Sequence, residues 1–376
     1  MSTEPAADLL YNEVEDELRL PLRRALLADR CPTGALLTRI ESDEPYDTEL
    51  WRALGAELGV TGLSVPEEYG GAGAGWRETA VVLEELGRAV APVPYLGSSV
   101  LATAALMAAD ETRVLPEVAA GRRAAALAVP FSTGPGLPFP DAVRLSGSAL
   151  SGTVTSVADA TPARVLLVPA VGEAGPGLYL VDLAAAGDTV TLAPRRSLDL
   201  TRPLADITLR SAPAVPVALG DEAIRVLDVA LTTGAALLAS EQLGVAEWCL
   251  TTTVAYVKER HQFGRPVGSF QAVKHRLADL YGLVSQARAV ARNAVAALDA
   301  GSPQVALKAS LAQAFVSEAV VETAEAALQL HGGIGFTWEH PVHLYLKRAK
   351  SDALALGTAD RHRSALALLV DLPPAA

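Results

Sequence analysis

Apolar positions recur at helical spacing along the first third of the chain. Between Pro5 and Leu37, the residues Leu9, Leu10, Val14, Leu18 and Leu20 follow that spacing and predict helix. A shorter helix is predicted over Asp47–Leu58, with Asp47 or Thr48 as its cap. Residues 62–73 read Gly-Leu-Ser-Val-Pro-Glu-Glu-Tyr-Gly-Gly-Ala-Gly, where Pro66 and the glycines break any period and predict a loop. Trp76–Val90 returns to helical spacing, with Val81, Val82, Leu83, Leu86 and Val90 apolar. Tyr95–Ala109 is apolar on nearly every side, the pattern of a buried helix.

The pattern changes after Gly121. Short apolar runs at Ala124–Val129, Ala142–Leu145, Val165–Val168, Leu178–Val181, Val190–Leu192 and Ala205–Leu209 are separated by Gly, Pro, Asp and Thr. They predict a small antiparallel β domain, closed by Pro213 and Pro216. Asp221 then stands as a cap, and helices are predicted over Ala223–Val257, Gln271–Leu298, Ser302 or Pro303 to His331, His343–Leu354 and Ala359–Leu369. The first of these is poor in charge through its middle, which places it inside a four-helix bundle. The expected fold is α+β: residues 1–122 helical, 123–217 β, 218–376 a helical bundle.

Composition narrows the function classes. Of 376 residues, 50% are hydrophobic and 20% charged, which is a globular composition. The net charge of −12 argues against nucleic-acid binding, which needs clustered positive charge. Cys31 and Cys249 suggest neither a disulfide framework nor a thiolate metal site, and no metal site is expected at His340 or His343. The N-terminus lacks the pattern of a signal peptide, and no uncharged apolar run is long enough for a membrane span, so a cytoplasmic location is expected.

The richest chemistry lies between Glu259 and Tyr281. A helix delivers Arg260 to its end, a turn follows with Gly264, Pro266 and Gly268, and a new helix is expected from Ser269 as N-cap. That gathers a guanidinium, the Gln262 amide, the Phe263 ring and backbone N–H groups, a set suited to a phosphate or pyrophosphate. The other reading of the same residues is a helix hairpin with a solvated arginine.

Four segments together resemble the acyl-CoA dehydrogenase family: Leu-Ser-Val-Pro-Glu-Glu-Tyr-Gly-Gly-Ala-Gly at 63–73, Val-Leu-Glu-Glu-Leu-Gly-Arg at 82–88, Arg-His-Gln-Phe-Gly-Arg-Pro-Val-Gly-Ser-Phe-Gln at 260–271, and Gln-Leu-His-Gly-Gly-Ile-Gly-Phe at 329–336. The resemblance implies helical, β and four-helix domains and an FAD-dependent α,β-desaturation of an acyl-CoA thioester. It also implies electron transfer onward to an electron-transfer flavoprotein. In the family each FAD crosses a subunit interface. The neighbouring subunit holds its adenosine diphosphate end, which assigns Arg260, Gln262, Phe263, Gln329 and Gly333 here to cofactor binding.

The subunit's own half departs from the family. The catalytic glutamate is expected before Gly357-Thr358, where this chain has Leu356. A minority of members carry it on the first bundle helix, at the position of Gly234, again without a carboxylate. Glu241 lies seven positions on, roughly 10 Å along the axis, as a weak substitute base. Ser156 stands where the flavin-facing Trp is expected, and Asp360 where a Gln is expected. Groups serving a neighbour's cofactor are kept and groups serving the chain's own are lost. That pattern resembles the non-catalytic subunit of the heterotetrameric actinobacterial type, partnered by a catalytic sister subunit. Two alternatives stay open: a self-sufficient homotetramer using Glu241, and a non-enzymatic acyl-CoA-binding or scaffold protein of the same fold.

Overall fold

The computed structural model describes residues 9–24 and 33–372. The N-terminal helices are α1 (Glu13–Arg23), α2 (Thr33–Ile40), α3 (Thr48–Arg52), α4 (Trp76–Ala89), α5 (Thr103–Ala108) and α6 (Leu115–Ala119). Of the helix expected from Pro5 to Leu37, Glu13–Arg23 and Thr33–Ile40 are helical, and residues 5–8 and 25–32 lie outside the described residues. Among its apolar positions Leu18 packs against the core beside buried Leu22, whereas Val14 and Leu20 are exposed and Glu15 is buried. Arg77 pairs with Glu15, and Arg19 with Glu84 and Glu85, so α1 is held through its charged side. Asp47 caps α3, accepting from Leu50 N at 2.9 Å. The buried run Tyr95–Ala102 is a π-helical stretch that feeds α5.

One sheet follows, from β1 (Ala125–Leu127), β2 (Val143–Ser146), β3 (Ala149–Ala158), β4 (Val165–Gly172), β5 (Gly175–Asp182), β6 (Val190–Arg195), β7 (Leu204–Pro213) and β8 (Val215–Leu219), with the short α7 (Leu183–Ala186) after β5. The strand order is β6-β7-β3-β2-β4-β5-β8, with β1 beside β4. The sheet is mixed rather than antiparallel, because β1 and β2 each pair with β4 in parallel. A tight hairpin forces antiparallel neighbours, whereas the β2–β3 hairpin intervenes between β1 and β4 and gives the chain length that parallel pairing needs.

The C-terminal domain holds α8 (Asp221–Glu259), the tiny hairpin β9 (His261–Gln262) and β10 (Arg265–Pro266), α9 (Gln271–Asp299), α10 (Val305–Leu330), α11 (Val342–Asp352) and α12 (Ala359–Leu369). Asp221 is the first helical residue rather than the cap, which is Gly220. Ala230, Leu231, Ala235, Leu237 and Leu238 of α8 pack into the core shared with the N-terminal helices. Ala236, Ala239, Leu243 and Ala246 pack into the bundle core. Burial on both sides explains the scarcity of charge. By length and composition α8 would cross a membrane, but most of its apolar window is buried within the protein. Glycine lets α4 and α8 meet closely: a Cβ at Gly244 would lie 1.9 Å from Glu84 O.

Candidate functional site

Three helix ends meet at one face. Gln313 of α10 donates to Ala235 O of α8 at 2.7 Å, Gln242 Nε2 donates to Ser317 Oγ at 3.3 Å, and Tyr256 stacks on His331 at 4.5 Å. The numbers rise together along both helices, so α8 and α10 run parallel and finish side by side. The antiparallel α9 begins at the same end. The C-termini of α8 and α10 carry partial negative charge, and the N-terminus of α9 carries the opposite sign.

Local sequence shapes this face. Arg260 leaves the helix in extended conformation, its N–H still donating to Tyr256 O at 2.9 Å. The hairpin pairs Gln262 with Arg265 and turns at Phe263 and Gly264, both with positive φ (52° and 76°). Two positive φ values suit the twist of a two-residue hairpin. For a phenylalanine that conformation costs about 1–2 kcal/mol. Phe263 is 90% exposed, and its ring stands edge-on to Phe270 at 6.2 Å between centroids. Arg260 is exposed, and among the described residues no ion pair engages its guanidinium. Gln262, Gln329 and Gly333 are exposed as well.

Ser269 does not cap α9. The segment Val267–Ser269 makes its own 3-10 turn, so Phe270 takes the extended N-cap conformation. Among the described residues the buried Ser269 hydroxyl has no hydrogen-bond partner, and no side-chain cap bonds the start of α9. Uncapped N–H groups, an uncommitted guanidinium, an exposed ring and exposed amides form a donor set that fits an anionic nucleotide tail. The arginine and the turn are legible in the sequence. The open helix start is not, because a Ser at that spacing ordinarily closes it.

The expected base positions are closed. Leu356 is 1% exposed, in the left-handed region at φ 51°. Its N–H donates to Phe131 O at 2.8 Å, and its carbonyl lies 3.0 Å from His362 Nε2. A Cβ on Gly234 would sit 2.3 Å from Leu101 Cδ2 and 3.0 Å from Leu356 Cδ1. The two alternative base positions thus face each other across van der Waals contact, and Leu101 packs against Gly234 beside them. Phe131 N donates to Ser156 O at 2.9 Å, so the segments carrying Leu356, Phe131 and Ser156 bond directly to one another. Clefts of about 440 and 420 Å³ flank residues 133–140, and neither is lined by Leu356, Gly234 or Ser156. Asp360 is almost fully exposed in the first turn of α12, pairs with Arg363 and complements the helix dipole.

Glu241 lies in a buried ion cluster. Its Oε1 accepts from Arg202 Nη2 at 2.6 Å and Arg348 Nη1 at 2.5 Å, and Oε2 accepts from Arg202 Nη2 at 2.5 Å. Arg202 also reaches Asp352 Oδ1 at 2.7 Å, and Arg348 reaches Asp199 Oδ2 at 2.8 Å. Burial alone would raise the Glu241 carboxyl, but the two guanidiniums outweigh it and hold its pKa below the ordinary glutamate value. A general base needs the opposite tuning and an oxygen free to take a proton, so the geometry argues against Glu241 as a substitute base. Burial, with the Glu241 charge second, pushes the Asp352 carboxyl up to about 8. Sequence spacing could not reveal this cluster, whose members come from α8, α11 and the loop before β7.

Beside this face Trp338 is 66% exposed, with Lys347 Nζ 4.3 Å from its ring centre and the His343 ring edge-on at 4.6 Å. His331 ends α10 as a neutral ring: burial lowers its pKa, and Nδ1 lies 2.7 Å from Ala327 O, where only a protonated nitrogen is favourable.

Comparison with known proteins agrees with this architecture. Residues 22–122 match the acyl-CoA dehydrogenase N-terminal domain, and residues 224–368 match the acyl-CoA dehydrogenase C-terminal domain. The acyl-CoA dehydrogenase IpdE2 of Mycolicibacterium smegmatis is 38% identical over 343 residues, covering 91% of this chain and 94% of that protein. Among solved structures, the Tcur3481-Tcur3483 steroid ACAD superposes with a TM-score of 0.84 at 33% identity, covering 96% of this chain and 98% of that one. The ChsE4-ChsE5 complex from Mycobacterium tuberculosis gives 0.83 at 29% identity, covering 98% and 100%. Matched at both ends by the family's domains, and by a full-length relative along nine tenths of its length, the chain belongs to the acyl-CoA dehydrogenase family.

Proposed function

We propose that this chain is the non-catalytic subunit of a heteromeric, FAD-dependent acyl-CoA dehydrogenase, completing the cofactor site of a catalytic sister subunit. The observation that carries the reading is the contrast between two regions. The base positions are filled by Leu356 and Leu101 against Gly234, while the tail-binding groups stand exposed on an outer face. An exposed cradle at the end of a bundle suits a ligand whose remainder lies on another subunit.

In this reading the Arg260 guanidinium and the first-turn N–H groups of α9 hold the negative charge of the cofactor tail. Phe263 offers an apolar face, and Gln329 and Gly333 border the same end. Bound FAD would supply hydride acceptance from the acyl β-carbon, the sister subunit would supply the base, and an electron-transfer flavoprotein would take the electrons. The steroid ACAD and the ChsE4-ChsE5 complex among the similar structures favour a bulky acyl group and a two-chain assembly.

The test is a flavin count. The chain purified alone should carry little FAD and no acyl-CoA oxidation. Purified with its sister subunit, the complex should hold one FAD per pair of chains. A yellow homo-oligomer that desaturates an acyl-CoA unaided overturns the reading.

A further inference from the structure

The motif residues line the cofactor-tail face, but they do not hold it in shape. A Cβ added at Gly332 or Gly333 would meet nothing within 4 Å, so these two residues do not anchor the turn, which packs through Gly335 against Leu328 and His331. Gln329, Gly333 and Arg260 are exposed. Their relative placement must come from something behind them.

Behind them lies a column of rings. Tyr256 is on α8, four residues before Arg260 and so on the same helical face. Its ring stacks on His331, the C-cap of α10, with centroids 4.5 Å apart and planes at 28°. His331 in turn meets His340 at 4.2 Å, and Tyr256 meets His340 edge-on at 6.4 Å. His331 and His340 bracket the loop that carries Gly332, Gly333, Phe336 and Trp338. The three rings therefore join the arginine turn, the end of α10 and the far end of the glycine loop. The column has a fixed register, because His331 Nδ1 is bonded to Ala327 O and Val342 N donates to His340 Nδ1 at 3.3 Å.

We infer that Tyr256, His331 and His340 are positioning residues for FAD: their stack sets the distance between the Arg260 turn and the Gly332-Gly333 turn before the cofactor arrives. The inference rests on the cofactor reading above. A cradle ordered in advance binds more tightly because the ligand need not order it. Aromatic pairs of this geometry are strong enough that losing one weakens binding by about tenfold or somewhat less.

The experiment measures FAD affinity in the assembled complex, by recovery of flavin fluorescence on dilution, alongside thermal stability and kcat at saturating FAD. Tyr256→Leu should raise the FAD Kd by about tenfold, and Tyr256→Phe, which keeps the ring, should stay within about twofold. Thermal stability and kcat at saturating FAD show whether the variant complex is otherwise intact. His331→Leu and His331→Phe form a second pair with the same expected contrast, should Tyr256→Leu fail to assemble. Arg260→Ala is the control for the cofactor reading. If Arg260→Ala weakens FAD but neither leucine variant does, the positioning role is wrong and the cofactor reading stands. If Arg260→Ala also leaves affinity intact, the cofactor face itself has been misassigned. Equal weakening by Leu and Phe at either position overturns the stacking argument.

Discussion

Replacing Glu241 by Gln separates a structural role from a chemical one. The carboxylate is 2% exposed and lies between two guanidiniums that are themselves 5% and 2% exposed. Gln keeps the shape and one acceptor but removes the charge both arginines face. Removing one member of a buried ion pair costs about 3–5 kcal/mol, since the partner charge stays buried. The lower part of that range is expected here. Asp352 is pushed up by burial and then by Glu241, so losing Glu241 lets it ionise and restore part of the balance at Arg202. A loss of about 3 kcal/mol corresponds to a drop of about 1 M in urea midpoint for a slope of about 3 kcal/mol per M. The assay is equilibrium or rate-resolved urea unfolding of the purified complex, with turnover measured in the folded range. The reasoning fails if Glu241→Gln is as stable as the parent while turnover disappears, because that is the behaviour of a catalytic base.

Asp352 gives a pH-dependent companion. Its folded pKa is raised from 3.8 to about 8, so its contribution is complete below about 4 and is lost as pH rises through 8. Asp352→Asn removes that titration, and its urea midpoint should rise relative to the parent between pH 6 and 9; a constant difference would refute it. Leu356→Glu should not create a working site: with Leu101 and Gly234 packed there, the complex should lose stability and gain no activity in stopped acyl-CoA assays, and measurable turnover by the isolated variant would contradict the closed-site argument. Phe263→Gly relieves the positive φ and should stabilise the chain by about 1 kcal/mol while FAD dissociates faster from the complex. Loss of stability with unchanged FAD release would show that the exposed ring serves the fold alone.

Much of the fold was legible because its determinants are local. The helical spacing of Trp76–Val90, the uncharged middle of Ala223–Val257 and the turn glycines each act within a few residues. The face of α1 was not legible, since Arg19 and Arg77 draw its polar side inward to partners far along the chain. Nor was the parallel entry of β1, which depends on where the N-terminal domain delivers the chain. In the candidate site, Arg260, Phe263, Gln329 and Gly333 were readable as motif positions, and the stack of Tyr256 on His331 left only a four-residue spacing as its trace.

Residue identity alone established that neither Leu356 nor Gly234 can accept a proton, since neither side chain bears a basic atom. It equally established that the arginine, ring and amide proposed to hold the cofactor tail are present. Only the tertiary structure decided that the two empty base positions oppose each other, filled by Leu101 and Leu356, and that Glu241 is taken up by Arg202 and Arg348. Which atoms a side chain possesses is written in the chain. Whether those atoms are exposed, crowded or neutralised depends on segments that meet only when the chain folds, and that is where a carboxylate becomes either a base or half of an ion pair.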